Sequence, residues 1–334
     1  MQEFVDATPE FEHRLLRAGR DGEYIPAEIS ERFVAVEELP QGTLPRLRAV
    51  RDAVRRIRPD VVHAHSSYAG LYVRLAVPAT RRRRIVYSPH CFAFVRQDLG
   101  LASRMLIAAA EILLACNTTV IAACSLWERR VARRMPSRGA VYVPNTPRAA
   151  ATQGHSGGPA AEGAAPGAPI AVSLGRLGPQ KDPALFLRAV TEARRTIPGL
   201  RGMWIGDGDP ALRTALTEGG VEVTGWLPSG EVAARLAEAS VYLHAAAWEG
   251  FPLAVLEAAR AGVPVVARRI PAFEGMPERW LFDGPADAGR LIGSTLTDGG
   301  EANVAEWRAA LRTNTPEHQR AALLRAYGRE RARR

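Results

Sequence analysis

The chain carries several short segments whose residue types could do chemistry. In Gly175-Arg176-Leu177-Gly178-Pro179-Gln180-Lys181-Asp182, two cations bracket a glycine-containing stretch. An apolar run ends at Leu174 and a helical pattern begins at Pro183, so the stretch reads as a strand-to-helix junction. Two cations there make an anion site suited to a diphosphate. The glycine spacing is not that of a Walker loop, and no Ser or Thr follows the lysine. Lys181 is the single lysine among 44 Lys+Arg residues. A compact ammonium survives where every other position took the planar guanidinium, which marks Lys181 as a place where Arg will not serve. The plain alternative is a capped turn with surface cations, Asp182 being the cap.

A second segment, Glu249-Gly250-Phe251-Pro252-Leu253-Ala254-Val255-Leu256-Glu257, sets two carboxylates around a helix start. Proline is well tolerated at the first helical position. A helix beginning near Pro252 places Glu249 in the loop before it and Glu257 on its second turn. The first-turn N–H groups near Leu253 and Ala254 then offer the positive dipole end to an anion. The carboxylates can accept from sugar hydroxyls on either side. They make poor paired glycosidase acids, because one is in mid-helix.

His90, in Tyr87-Ser88-Pro89-His90-Cys91-Phe92, is a strand-end histidine able to donate to a phosphate or a hydroxyl, or to act as an acid. His63 and His65 share one strand face, but no third ligand is near in sequence and zinc is not expected. Gly206-Asp207-Gly208-Asp209 and Thr224-Gly225-Trp226-Leu227 are strand-end turns where glycine lets a backbone approach a ligand; ordinary turn chemistry explains them equally well.

Positioning these residues requires a particular architecture. β-branched runs at Asp60–His65, Arg84–Ser88, Thr118–Ala123, Val141–Val143, Ile170–Leu174, Met203–Ile205, Val221–Thr224, Val241–Ala245 and Val263–Ala267 alternate with helical patterns such as Leu44–Ile57, Pro183–Thr196 and Gly230–Ala239. Alternation of this kind predicts an α/β fold with parallel sheets covered by helices on both faces. The Ala/Gly/Pro-rich segment 149–169 has no periodicity and reads as a linker. The expected organisation is a domain over 1–148, the linker, a domain over 170–315 and a basic helix over 316–334, with two Rossmann-like, doubly wound domains facing across a cleft. His65, Ser66, His90, Asn145, Gly175, Arg176, Gly206, Asp207, Gly208 and Glu249 all follow strands, where open α/β sheets bind ligands.

Composition excludes several classes. The chain of 334 residues is 47% apolar and 24% charged, as in soluble globular proteins. The most apolar helix candidate, Met105–Cys116, is too short to span a membrane and carries Glu111. The acidic start Met1–Asp6 is not a signal peptide. Cys91, Cys116 and Cys124 form neither an even framework nor a metal spacing, which points to a reducing cytosol. Of the net charge of +9, residues 1–150 hold +8, with 23 Arg against 15 Asp+Glu. A one-sided basic field fits an anionic partner such as a membrane surface. No helix-turn-helix or aromatic-interleaved RNA motif accompanies it, so nucleic acid is not expected.

In this order the motifs resemble family 4 of the GT-B-fold glycosyltransferases, over roughly residues 58–285. The resemblance rests on the D-V-V-H-A-H-S run, S-P-H, V-P-N at 143–145, G-R-L-x-x-x-K at 175–181, the G-D-G turn, V-x-x-x-G-W-L-P, and E-G-F-P-L-x-x-L-E-A followed by A-G-V-P-V-V. It implies a retaining, metal-independent enzyme with no cofactor, moving a sugar from a nucleoside diphosphate sugar, UDP- or GDP-linked, to a cell-surface polysaccharide, glycolipid or lipid-linked acceptor. The resemblance makes Arg176 and Lys181 the partners of the departing diphosphate. Glu257 would bind ribose, and Glu249 the donor sugar. Main chain around Gly175, Gly250, Phe251, Pro252, Leu253, Gly206, Asp207 and Gly208 would line the donor, with Trp226 and Leu227 near the base. His90 would approach the sugar from the first domain, and His65, Ser66 and Asn145 would belong to the acceptor side. The implied location is cytoplasmic, peripheral on the inner face of the plasma membrane. The chain departs from the family pattern in lacking the opening strand and Gly-rich loop, the first strand-like stretch being His13–Ala18. An exposed edge or a gap is therefore expected in the first sheet. Cys91 and Thr146 stand where glycines are usual. A catalytically impaired binder of nucleotide sugar is the main alternative reading, and a nucleotide-sugar 2-epimerase a lesser one.

Overall fold

The computed structural model describes residues 2–19, 30–147 and 167–329. The expected linker lies outside these residues except for 167–169, as do the last five positions of the C-terminal basic stretch. The chain divides into two units, Met1–Thr146 with Asn314–Arg334, and Pro147–Thr313.

In the first unit the described elements are α1 (Gln2–Asp6), β1 (Arg14–Arg17), β2 (Ala35–Glu38), α2 (Thr43–Ile57), β3 (Val61–His65), α3 (Ser67–Ala76), β4 (Arg84–Ser88), α4 (Leu101–Ala115), β5 (Val120–Ala123), α5 (Leu126–Ala132) and β6 (Ala140–Tyr142). Strands β3-β4-β5-β6 form one parallel sheet in chain order, and β1 pairs with β2 in a separate parallel sheet. No strand bridges the two sheets among the described residues. On α2, Val50, Ala53 and Val54 turn inward at helical spacing and its arginines outward. On α3, Gly70 lets the helix settle on β4, since a Cβ there would lie 2.4 Å from the Tyr87 ring. The C-terminal helix, named α12 below, packs on this unit. Its Ala322, Leu323, Ala326 and Tyr327 share a core with Phe4, Val86, Val120, Ala122 and Val143.

The second unit contains β7 (Ile170–Leu174), α6 (Pro183–Ala193), β8 (Arg201–Ile205), α7 (Pro210–Glu218), β9 (Val221–Val223), α8 (Ser229–Ala237), β10 (Val241–His244), α9 (Leu253–Ala261), β11 (Val265–Arg268), β12 (Leu281–Phe282), α10 (Pro285–Ser294) and α11 (Gly300–Ala310); α12 spans Pro316–Tyr327. Its sheet is parallel, in the order β12-β11-β10-β7-β8-β9. Counted within the unit this is the doubly wound 3-2-1-4-5-6 arrangement, whose order reverses between β7 and β10. Proline at the first helical position follows a capping Asp182, Asp209 or Thr315 at α6, α7 and α12. Trp204 packs edge-on against Phe186, and Trp307 against Phe273, filling the two sides of the sheet.

All nine strand runs expected from the sequence are strands. The four-residue β2, Ala-Val-Glu-Glu, and the two-residue β12 were not among them.

Candidate functional site

The reversal in strand order puts the loops after β7 and β10 side by side, the position where open parallel sheets leave a crevice. After Leu174 the chain turns through Gly175 at φ +144°. A Cβ on Gly175 would lie 2.7 Å from Lys181 Cε, so the lysine stem lies across this glycine. Asp182 is held at φ +47°, and its Oδ1 accepts from Leu185 N at 3.0 Å, starting α6. Its other oxygen accepts from Arg268 Nη1 at 2.9 Å. This fixes the residue after Lys181 from two sides. Strain of this kind in a non-glycine residue persists only where surrounding contacts over-determine it.

The loop after β10 is tied to the first. Ala247 N donates to Gln180 O at 2.8 Å, and Gln180 Nε2 donates to Trp248 O at 3.1 Å. Lys181 Nζ lies 2.5 Å from Glu249 Oε1, in an ion pair whose side chains are 22% and 12% exposed. Helix α9 begins at Leu253 with Pro252 as its cap residue, and no side chain caps it. Its first-turn N–H groups therefore open onto the same loop as the Lys181–Glu249 pair. Glu257 falls on the second turn. Phe251 is buried with its ring against Phe273, 5.9 Å between centroids, so what it can offer a ligand is main chain. Buried Tyr242 and His244, both on β10, register the charges above them. Burial first, then the nearby Glu249 and Glu257 carboxylates, push the Tyr242 phenol up. Burial first, then the Lys181 charge, push His244 well below the usual imidazole range. The lysine and both glutamates thus converge over one strand end.

The turn after β8 completes this floor. Gly206 sits at φ +134°, and a Cβ on it would lie 2.3 Å from Gly175 O. A Cβ on Gly208 would lie 2.4 Å from Leu177 O, and Leu177 N donates to Asp207 O at 2.9 Å. The two glycines are therefore needed for contact between loops. The Asp207 carboxylate is engaged in its own turn, accepting from Gly208 N at 2.9 Å and pairing with Arg213 at 2.5 Å. The Arg176 guanidinium lies 5.9 Å from the ring of Trp226, which is 63% exposed. Leu227 beside it is half-buried.

The first unit gathers a different cluster. Ser66 after β3, and His90 and Cys91 after β4, have φ of +81°, +53° and +116°. His65 Nδ1 is 2.9 Å from His90 Nε2 with the rings stacked. His63 bonds Tyr327 Oη and Ser88 Oγ, each at 2.9 Å. The Phe4 ring packs against all three imidazoles, tilted or edge-on, at 5.7, 5.3 and 6.1 Å between centroids. Burial pushes His63 down to about 3 and His90 down to about 4, and holds His65 well below its usual range. All three are neutral at physiological pH. Glu128 supports the turn from beneath, accepting from Cys91 N at 3.0 Å and Cys124 N at 2.7 Å. Burial is the main influence on its carboxyl and raises its pKa.

His65, Ser66 and His90 therefore stand at adjacent strand ends. Asn145 does not join them: it follows β6, two strands from β4, and its carbonyl accepts from Asn314 Nδ2 at 2.9 Å. Reasoning from sequence missed Glu128, the left-handed, doubly anchored backbone of Asp182, Arg268, Gln180, Tyr242 and His244. For Glu128 a signal existed, since Ser125-x-x-Glu128 has the spacing of a capping box. Ser125 Oγ does accept from Glu128 N, at 3.2 Å, while the glutamate serves the histidine turn instead of closing the box. No group of three or more His, Cys, Asp or Glu among the described residues is arranged to hold a metal ion.

Comparison with known proteins locates this geometry. Residues 4–146 match the family described as "Glycosyl transferase 4-like domain", and residues 168–295 match "Glycosyl transferases group 1". A curated relative, an "Uncharacterized 41.2 kDa protein in cps region" of Klebsiella pneumoniae, is 27% identical over 221 residues, 63% of this chain. The match spans 60% of that relative's length. Among solved structures, sucrose-phosphate synthase from Thermosynechococcus elongatus superposes with a TM-score of 0.71 at 15% identity, over 97% of this chain and 91% of that one. HepE from Anabaena, in complex with UDP-glucose, gives 0.70 at 15% identity, over 97% and 95%. S. aureus TarM, in a complex that includes UDP, gives 0.66 at 12% identity, over 84% and 59%. The likeness to these structures is one of fold.

Proposed function

Because the chain belongs to the group 1 glycosyl transferases, with family matches over residues 4–146 and 168–295, we propose that it is a retaining, metal-independent enzyme that moves a sugar from a nucleoside diphosphate sugar, UDP- or GDP-linked, to a cell-surface polysaccharide, glycolipid or lipid-linked acceptor. The observation that carries this reading is the convergence of Lys181, Glu249 and the uncapped start of α9 over one strand end. Breaking the anomeric C–O bond leaves its electron pair on the diphosphate and an oxocarbenium-like centre on the sugar. Lys181 and Arg176 meet the diphosphate charge, and the α9 N–H groups add fixed dipoles; each such group typically contributes a few kcal/mol to a developing anion. Glu249 accepts from donor-sugar hydroxyls and Glu257 from ribose. Trp226, exposed beside Arg176, offers a face to the base. The Arg-rich first 150 residues bring the enzyme to an anionic surface on the cytoplasmic side of the plasma membrane.

One observation favours the second reading, an impaired binder of nucleotide sugar. His90 Nε2 is already engaged by His65, and Phe4 packs against its ring. A single set of measurements decides between them. Thermal shift of the protein is recorded against UDP, GDP, ADP and CMP, with Lys181→Ala and Glu257→Ala alongside, and sugar release from the matching donor is followed. A nucleoside diphosphate at about 100 times its Kd stabilises by about 2.7 kcal/mol. A shift that both substitutions abolish, with turnover, supports the transferase. The same shift without turnover supports the binder. No shift from folded protein overturns both.

A further inference from the structure

Helix α4 turns most of its large apolar side chains outward. Its single acidic residue, Glu111, is buried and bonded to Arg74 Nη2 at 2.8 Å and to Tyr87 Oη at 2.9 Å. Five of its seven large apolar side chains face water, Leu101, Met105, Leu106, Ile112 and Leu113, with Leu106 74% and Leu113 73% exposed, while Ile107 and Leu114 are half-buried. At 1.5 Å rise per residue these five form one stripe about 20 Å long. The neighbouring helix α3 adds exposed Tyr68 and Leu75. Scattered exposed apolar residues are ordinary, but a contiguous face of this size marks an interaction surface.

The charges around the stripe identify the partner. Asn117, just past the end of α4, donates to Arg74 O and Val77 O at 2.7 and 2.8 Å and accepts from Ala79 N at 2.7 Å. This pins the loop after α3, with exposed Arg81 and Arg82, beside the C-terminal end of the stripe. Arg138 N donates to Thr118 O, bringing exposed Arg138 to the same end. At the other end Arg96 is neutralised by Asp98. An apolar face with no exposed carboxylate of its own and a cluster of free-standing arginines at its border is the pattern of a surface that lies in the interface of an anionic bilayer. No helix among the described residues is long and apolar enough to cross a membrane.

We infer that the outward face of α4, bordered by Arg81, Arg82 and Arg138, is the surface on which this protein docks onto an anionic lipid bilayer. The inference deepens the proposed membrane role of the basic half, giving the anchoring to apolar insertion at one helix, with arginine charge as the guide. The test is co-sedimentation with phosphatidylcholine vesicles containing about one third phosphatidylglycerol, at low and high salt. Variants are Leu106→Gln with Leu113→Gln, and Arg81→Ala with Arg82→Ala. The wild type is expected to bind. The leucine pair should lose at least tenfold in partition coefficient, and the arginine pair should lose binding chiefly at low salt. Circular dichroism and the nucleotide thermal shift, both unaffected, show that the fold and the donor site are intact, so failure here is separate from failure of the transferase reading. Equal binding by the leucine variant, or no binding by the wild type, overturns the inference. So does a wild-type dimer that the leucine variant dissolves, which would make a second copy the occupant of the face.

Discussion

Lys181 and Glu249 are 68 positions apart in the chain, yet Nζ stands 2.5 Å from Oε1. The cation proposed for the diphosphate is thus held by the carboxylate proposed for the sugar. Donor binding must draw Lys181 from this pair toward phosphate. Replacing Glu249 by Gln removes the competitor. The expected outcome is a split: affinity for the free nucleoside diphosphate is unchanged or a few-fold tighter, while sugar transfer falls by about a hundredfold or more, as for loss of a group acting in the transition state. Isothermal titration with the diphosphate and initial rates with the sugar donor measure the two sides. Parallel losses in both would remove Glu249 from its proposed role.

Lys181→Arg is the matching test on the cation. The lysine stem runs across Gly175, where even a methyl group would lie 2.7 Å from Cε. A guanidinium carries the same charge but is wider and planar. Diphosphate affinity should fall about tenfold or more in spite of conserved charge, with little change in stability. Wild-type affinity in the arginine variant would show that the one lysine of the chain is there by chance.

Gly206→Ala tests the coupling of the two turns. The position has φ +134°, and the added Cβ would lie 2.3 Å from Gly175 O. Strain and contact act together, and the backbone they press on carries the proposed anion site. Strained backbone of this type costs about 1–3 kcal/mol. Urea denaturation should show that loss, and nucleotide binding should weaken beyond what partial unfolding explains.

The histidine cluster predicts acid sensitivity. His63 titrates at about 3 and His90 at about 4 in the folded protein, against about 6.5 unfolded. The folded state therefore binds fewer protons than the unfolded one below pH 6.5, so stability is full above that value and is lost as pH falls toward 4. Each histidine contributes a slope of up to about 1.4 kcal/mol per pH unit in this window. Denaturation midpoints measured from pH 7.5 down to 4.5 should fall, and His63→Asn with His90→Asn should flatten the curve. An unchanged slope in that variant would place the acid sensitivity elsewhere.

Much of this was legible in the sequence because it is local. Strand runs, the Asp182-Pro183 helix start and the G-R-L-x-x-x-K and E-x7-E spacings are written within windows of a few residues, and the alternation of β and α leaves few ways to order a parallel sheet. The residues that were not legible act across the fold. Arg268 reaches Asp182 from another strand, Glu128 reaches Cys91 from a different crossover, and Phe4 covers histidines some sixty residues and more away. The outward face of α4 was hidden for a related reason. An apolar helical pattern looks the same whether it points inward or outward, and only the burial of Glu111 shows which side is the core.

Glu128 is expected to act as a positioning residue for His90. Its two oxygens join Cys91 N, in the strained turn after β4, to Cys124 N, at the end of β5. Glu128→Gln keeps the shape but turns one acceptor into a donor facing an N–H. A buried polar group left unmatched costs about 1–3 kcal/mol. The turn should relax, and His90 with it. Stability should therefore fall by that amount, and transfer should fall at saturating donor, with nucleoside diphosphate affinity in the second unit unaltered. Glu128→Asp, which retains both acceptors on a shorter stem, should recover part of the rate. A merely structural role would lower stability in both variants and leave the rate per folded molecule untouched, so the rate at saturating donor, corrected for the folded fraction, decides the question.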